Sequence, residues 1–272
     1  MKHHIVAGSC VTISRRSEHA PADSRAMNPT RFEWTPEFWQ GWRESTNPYR
    51  QYKSARDRQL AVQLLQPQDR DRVLEIGCYG WISEGLWASA RIDWVGVDRS
   101  DEMVQRFRAA HPEHSQAVFL ADACRLPFAD AKFDKVLCTG VLMHIASYAT
   151  ATQELVRVLR PGGILLCSFN NALSPWSVPV RLWNRRKPGL VQKFVFPASF
   201  CRLLRHAGVQ LDSRAGDGIV ATVPIDVGPL RFPPERFHSS ICKLDQWAAQ
   251  RLPFLSYEVW VRGSKAIGSC AS

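Results

Sequence analysis

The sequence predicts an α/β fold, a mostly parallel sheet with helices on both faces. Three observations carry this. The stretch Arg72-Val73-Leu74-Glu75-Ile76-Gly77-Cys78-Tyr79-Gly80-Trp81 reads as a short buried strand, Val73 to Ile76, that runs into a tight glycine turn. A helical pattern follows at once, Ser83 to Ala90, with Ile82, Leu86, Trp87 and Ala90 able to share one face. Strand, glycine turn and helix in that order place a nucleotide-like ligand at the carboxyl end of the first strand of a parallel sheet. Second, Asp98 closes the next apolar run, Trp94 to Val97, 21 positions after Gly77. That is about the spacing at which a carboxylate meets ribose hydroxyls. Third, strand-like runs continue to alternate with helical patterns, which is the rhythm of βαβ units.

Each element has its own signals. Residues 1–30 are polar, with His3, His4, Arg15, Arg16, Pro21 and Pro29, and read as a loose tail rather than a signal peptide. The pair His3 and His4, without further partners, is a poor metal site. Aromatics crowd from Phe32 to Trp42, as a short helix packed on the domain or as a lid over a ligand. Tyr49 to Gln66 is a helix with Leu60, Val62, Leu64 and Leu65 apolar, and Pro67 breaks it. Ser100 caps a helix running to His111, with Asp101 and Glu102 early and Arg106 and Arg108 late, an order that suits the helix dipole. Ala117 to Ala121 is a third strand with Asp122 at its end, and Phe133 to Cys138 a fourth. A helix over Tyr148 to Leu159 leads through the turn Arg160-Pro161-Gly162-Gly163 into a fifth strand, Ile164 to Phe169. Asn170 to Phe196 is polar, aromatic and basic. Pro197 opens a helix with Leu203 and Leu204 apolar, and Gly208 closes it. A sixth strand begins at Val209, a helix spans Glu235 to Arg251 with Phe237, Ile241, Leu244, Trp247 and Ala248 on one face, and the last strand is Tyr257 to Val261. The chain divides into a tail 1–30, one domain 31–264 with cap segments at about 32–56, 170–196 and 216–256, and a tail 265–272.

Composition narrows the partners. At 272 residues and 45% hydrophobic the chain suits one substantial domain. No apolar run approaches the roughly 20 residues that span a bilayer. Eight cysteines are scattered singly; Cys138 and Cys167 sit in strand patterns. This implies buried thiols and a cytoplasmic, reducing setting. No His/Cys/Asp/Glu set has ligand spacing, so no metal is implied. The net charge of +10 fits nucleic acid, an acidic membrane surface, an anionic substrate, or simply a solvated arginine-rich surface.

Four ordered motifs resemble the class I S-adenosylmethionine-dependent methyltransferases. They are Val73 to Cys78; Val95-Gly96-Val97-Asp98-Arg99-Ser100 with Met103 and Val104; Ala121-Asp122-Ala123-Cys124-Arg125-Leu126-Pro127-Phe128 leading to Phe133-Asp134; and Glu154 to Gly163. The match runs from about Arg72 to Gly208 and is strongest to the small-molecule branch that includes quinone-biosynthesis enzymes. The resemblance implies a Rossmann-like, seven-stranded, mostly parallel sheet and a donor, S-adenosyl-L-methionine, leaving as S-adenosyl-L-homocysteine. It implies that Glu75 supports the glycine loop and the donor's amino-acid end. Gly77, Cys78, Tyr79 and Gly80 would form that loop. Asp98 would take the ribose hydroxyls, with Arg99 and Met103 beside it, and Asp122 with Ala123 the adenine. Cys138, Thr139 and Gly140 would face the methyl group, while Tyr52 and Arg56 resemble residues that close over the methionine end. Plain alternatives remain: Asp98 as a helix cap, Asp122 as a loop cap, Tyr52 and Arg56 as helix surface. The sequence departs from the family's E/D-x-G-x-G-x-G at Tyr79 and Trp81. Two aromatics then stand where the donor usually touches backbone, stacking on it or narrowing its pocket. The missing glycine at 79 also argues against a dinucleotide.

The implied reaction is methyl transfer to oxygen, nitrogen or carbon of a small-molecule acceptor, accelerated mainly by alignment in a dry pocket. His144 is the candidate base; its alternative is a packed structural residue. The acceptor would sit under Phe32 to Trp42, Asn170 to Phe196 and Glu235 to Leu255, with the aromatics taking an apolar part and Arg181, Arg185 and Arg186 an anionic part. Two rival readings stand beside this. One is a catalytically silent binding protein whose donor pocket is filled by Tyr79 and Trp81. The other is an RNA methyltransferase, against which stand the absence of an RNA-binding module and of an Asn/Asp-Pro-Pro-Tyr/Phe motif after the fourth strand.

Overall fold

The computed structural model describes residues 41, 44–78, 81–185, 192–219 and 237–267. Seven strands form one sheet: β1 (Arg72–Ile76), β2 (Asp93–Asp98), β3 (Val118–Leu120), β4 (Phe133–Cys138), β5 (Leu159–Asn170), β6 (Val209–Asp217) and β7 (Glu258–Lys265). Their order is β3-β2-β1-β4-β5-β7-β6. The first five run parallel, and β7 is antiparallel to both neighbours. This is the mostly parallel seven-stranded sheet that the sequence predicts.

Helices cover both faces, so the strands are buried on both sides and read as continuous apolar runs. Leu60, Ala61 and Leu65 of α1 (Pro48–Leu65), Ile82 and Leu86 of α2 (Trp81–Ser89), and Val104 and Phe107 of α3 (Asp101–Ala110) pack on one face with Val73 and Trp260. Leu155 of α4 (Tyr148–Val158) and Phe200 and Leu204 of α6 (Pro197–His206) pack on the other, with Leu74 and Ile76. A short helix, α5 (Ser177–Asn184), and α7 (His238–Arg251) complete the described helices. Ser100 caps α3 as expected: its Oγ accepts from Met103 N at 3.3 Å. Gly208 follows α6 at φ +85°, where an L side chain is disfavoured.

Two elements differ from expectation. β5 begins at Leu159, five residues early, because Arg160 to Gly163 bulge opposite Asp134 rather than turning the chain. Gly162 supplies a φ of +72°, and Arg160 Nε donates to Asp134 Oδ1 at 2.5 Å. In α7 the buried face is Asp245, Ala248 and Ala249, while Leu244 is 51% and Trp247 56% exposed. Asp245 turns the helix inward: its Oδ2 accepts from the Tyr52 hydroxyl at 3.2 Å and its Oδ1 from Ile219 N at 2.8 Å. Among the described residues no helix is long and apolar enough to cross a membrane. The aromatic stretch 32–42 (apart from Gly41), Tyr79, Gly80, Arg186, Lys187 and residues 220–236 lie outside the described residues, as do both predicted tails apart from 265–267.

Candidate functional site

The parallel ladder brings four strand ends side by side. Ile76 stands beside Val97 and Cys138, and Asp98 beside Leu120. The loops after them therefore present Asp122, Asp98, Gly77 and Thr139 in that spatial order along one edge of the sheet. The strand order reverses between β1 and β4, which is where open α/β sheets bind ligands.

Local bonds hold each loop. Gly77 N donates to Val97 O at 2.8 Å and turns away with φ +77°. A Cβ there would overlap Cγ2 of Val141, so the position needs glycine twice over. Asp98 Oδ1 accepts from Ser100 N at 2.9 Å. Burial raises the Asp98 pKa, against the pull of the Ser100 and Arg99 backbone N–H groups. Arg99 is exposed, whereas Met103 is buried. Asp122 is exposed, and its Oδ1 accepts from Cys124 N at 2.8 Å while its carbonyl accepts from Arg125 N. The loop-cap role is thus present whatever else the carboxylate does. Ala123 beside it is buried. Cys78 and Cys138 are buried, and burial pushes both thiols well up, so they pack as neutral side chains. Gly140 N donates to Ser168 Oγ at 2.9 Å.

Glu75 lies under this edge. It is buried, and its Oε2 accepts from Ser83 Oγ at 2.6 Å and from Trp94 Nε1 at 2.9 Å. One carboxylate thereby ties β1 to the first turn of α2 and to β2. Burial raises its pKa to about 7, with the two hydrogen bonds opposing. Sequence reasoning did not pair Trp94 with Glu75. The signal is available: a buried indole N–H needs an acceptor, and Gly96, two positions on, is where a Cβ would strike the Trp94 ring.

Tyr52 and Arg56 are placed elsewhere along the same end of the sheet. The Tyr52 hydroxyl meets Asp245, and burial followed by the Asp245 charge raises its pKa. Arg56 is buried, with Nη1 donating to Gln59 at 3.0 Å and Nε 3.8 Å from Asp217 Oδ1. They belong to a buried charged cluster in which Lys53 Nζ contacts Asp57, Asp217 Oδ2 (3.1 Å) and Glu258 Oε2 (2.7 Å). The sequence shows no ligand spacing for these carboxylates, yet Asp57, Asp217 and Glu258 offer oxygens within 4.8 Å of one another. The Lys53 ammonium is their counter-cation. Asn170, buried beside Glu258, has an Nδ2 without a hydrogen-bond partner among the described residues.

A cleft of about 410 Å³ opens next to the loop that follows β4. Its walls include Tyr148, Arg181, Lys193, Phe194, Phe196 and Ser199. Lys193 joins it to that loop: its backbone N donates to Met143 O at 2.9 Å, and its Nζ to Ala146 O. His144, half-buried, lies between those two contacts. Arg185 is exposed next to the cleft's α5 wall.

A carboxylate, a positive-φ glycine and a second acidic loop thus stand at the reversal of a 3-2-1-4-5-7-6 sheet, the place where open α/β sheets bind nucleotide-like ligands. Residues 74–167 match the methyltransferase domain, and the proteins this chain resembles include S-adenosylmethionine-dependent methyltransferases. It is 31% identical over 121 residues to the 2-methyl-6-phytyl-1,4-hydroquinone methyltransferase of Synechocystis sp., covering 42% of this chain and 36% of that protein. It is 29% identical over 204 residues to the ubiquinone biosynthesis O-methyltransferase of Cereibacter sphaeroides, covering 70% and 74%. The chain spans between 35% and 49% of the length of the first four curated relatives that it matches. The crystal structure of an S-adenosylmethionine-dependent methyltransferase of Thermotoga maritima, described as a possible histamine N-methyltransferase, superposes with a TM-score of 0.61 at 18% identity, covering 84% of this chain and 94% of that one. That likeness shows the fold.

Proposed function

We propose that this protein transfers a methyl group from S-adenosylmethionine to a small acceptor with an aromatic or apolar body and an anionic part. The cleft carries this reading. It sets Arg181 and Lys193 among Tyr148, Phe194 and Phe196, against the loop that leaves β4. The quinone-related names of the relatives support a small-molecule acceptor.

The edge of the sheet fits the donor chemically. Asp98 is an anion at the end of β2, suited to a ribose diol. Gly77 turns the loop at a positive φ with Val141 filling the place of its missing Cβ, and the space beside Gly140, two residues past β4, is open. Glu75 holds the first loop from below, Asp122 and Ala123 take the adenine end, and Thr139 walls the center above the buried Cys78 and Cys138. When bound, the donor supplies a methyl group on a cationic sulfonium. The chain's part is to hold the acceptor in line with it and keep water away, which supplies most of the acceleration in such transfers. His144, in the loop that Lys193 joins to the cleft, serves as the base where the acceptor must lose a proton.

Calorimetric titration with S-adenosylmethionine and S-adenosylhomocysteine tests the donor site, with Asp98→Ala as the control. Binding that the variant loses is expected; a folded wild type that binds neither compound would favor a silent scaffold. Turnover unchanged in His144→Ala would remove the base.

A further inference from the structure

We infer that the cap over the carboxyl end of the sheet docks on an anionic lipid surface. Among the described residues eleven large apolar side chains are exposed, and nine of them lie in two segments, 173–196 and 237–254. Val178 and Leu182 of α5 are 60% and 54% exposed, Leu244 and Trp247 of α7 were given above, and Phe254 of the 3₁₀ turn that follows is 54% exposed. Hydrogen bonds stitch these pieces together. Trp176 Nε1 donates to Ile219 O (2.7 Å), Ile219 N to Asp245 (2.8 Å), and Asn171 Nδ2 to Phe254 O (2.7 Å).

Charge selects the occupant. No Asp or Glu occurs anywhere from 155 to 211, whereas Arg181, Arg185, Lys193, Arg202 and Arg205 all do. In 237–254 the one carboxylate is Asp245, which is buried and hydrogen-bonded, and the cations are Lys243 and Arg251. Arg251 stands 5.9 Å from the center of the exposed Trp247 ring. Nucleic acid would use the cations but gain little from Val178, Leu182 and Leu244. A bilayer containing acidic lipid uses both, with aliphatic and indole groups at the acyl boundary and cations at the phosphates. The net charge of +10 adds long-range attraction. Arg181 and Phe196 also line the cleft, which would give an amphiphilic acceptor a short path from the lipid. That last point rests on the function proposed above; lipid docking does not.

The test is flotation of the full-length protein with vesicles of phosphatidylcholine alone and of phosphatidylcholine with phosphatidylglycerol. Binding to the anionic vesicles only, weakened by salt, is expected. Leu182→Ser with Val178→Ser, and separately Leu244→Ser with Trp247→Ser, should each weaken it about tenfold, the scale of removing two partly inserted apolar groups. These positions are exposed, so folding should persist, and circular dichroism checks it. Three results overturn the proposal: no flotation with anionic vesicles, flotation unchanged in both double variants, or a self-associated wild type that the same variants return to monomer. Because the readout is lipid binding, failure to bind the methyl donor leaves it standing.

Discussion

Lys53 Nζ lies 2.7 Å from Glu258 Oε2, across 205 positions of sequence. Only 12% of the Lys53 side chain and 8% of the Glu258 side chain are exposed. This pair, with Asp57 and Asp217, pins α1 to the ends of β6 and β7. Burial raises the Asp57 pKa, Lys53 opposes it, and Glu258 and Asp217 reinforce the rise. Lys53→Met leaves three buried carboxylates facing one another and is expected to cost about 3–5 kcal/mol. Urea unfolding should show the loss at neutral pH and a smaller one in acid, where the carboxylates protonate. Adding Glu258→Gln should restore part of it; an unchanged midpoint in Lys53→Met would refute the cluster's role.

Glu75 makes stability depend on pH in a defined direction. Its folded pKa is about 7 against an ordinary 4.5. Between those values the folded state holds the proton more tightly than the unfolded one, so this group's contribution is lost as pH rises through the window. Glu75→Gln keeps an acceptor for Ser83 and Trp94 and cannot ionise. The variant should gain on the wild type by on the order of 2–3 kcal/mol between the two ends of the window. A constant difference across that range would contradict the assignment.

Gly77→Ala meets two obstacles, the φ of +77° and overlap with Val141. We expect a loss of about 1–3 kcal/mol in thermal unfolding. Gly77→Ala with Val141→Ala removes the overlap and leaves the backbone strain, so it should recover only part of the stability.

Asp122 separates a structural from a binding role. Asp122→Asn retains the oxygen that Cys124 N donates to, so stability should stay within about 0.5 kcal/mol. Its amide N–H₂ would oppose an adenine amino group, and donor affinity should fall about tenfold. Titration calorimetry decides; unchanged affinity would leave Asp122 as a turn cap alone.

Much of the fold was legible because parallel strands buried on both faces are short apolar runs punctuated by glycine, proline and caps. Val73 to Ile76, Trp94 to Val97 and Phe133 to Cys138 reappear as β1, β2 and β4 within a residue or two. The Glu235 to Arg251 pattern misled about orientation. Its apolar stripe, Leu244 and Trp247, faces outward because one polar residue, Asp245, has stronger partners inside. Periodicity counts apolar positions and cannot weigh a buried hydrogen bond against them.

By itself, then, the sequence determined which residues end each strand, and hence that Gly77, Asp98, Asp122 and Thr139 share one edge, since local pattern and parallel register suffice for that. The tertiary structure alone decided which distant charges meet. Lys53, Asp57, Asp217 and Glu258 come from one helix and two strands, and Trp94 reaches Glu75 across the β1–β2 ladder. Charges so far apart in sequence carry no spacing signal, and only packing in a medium that excludes water makes each depend on its partner.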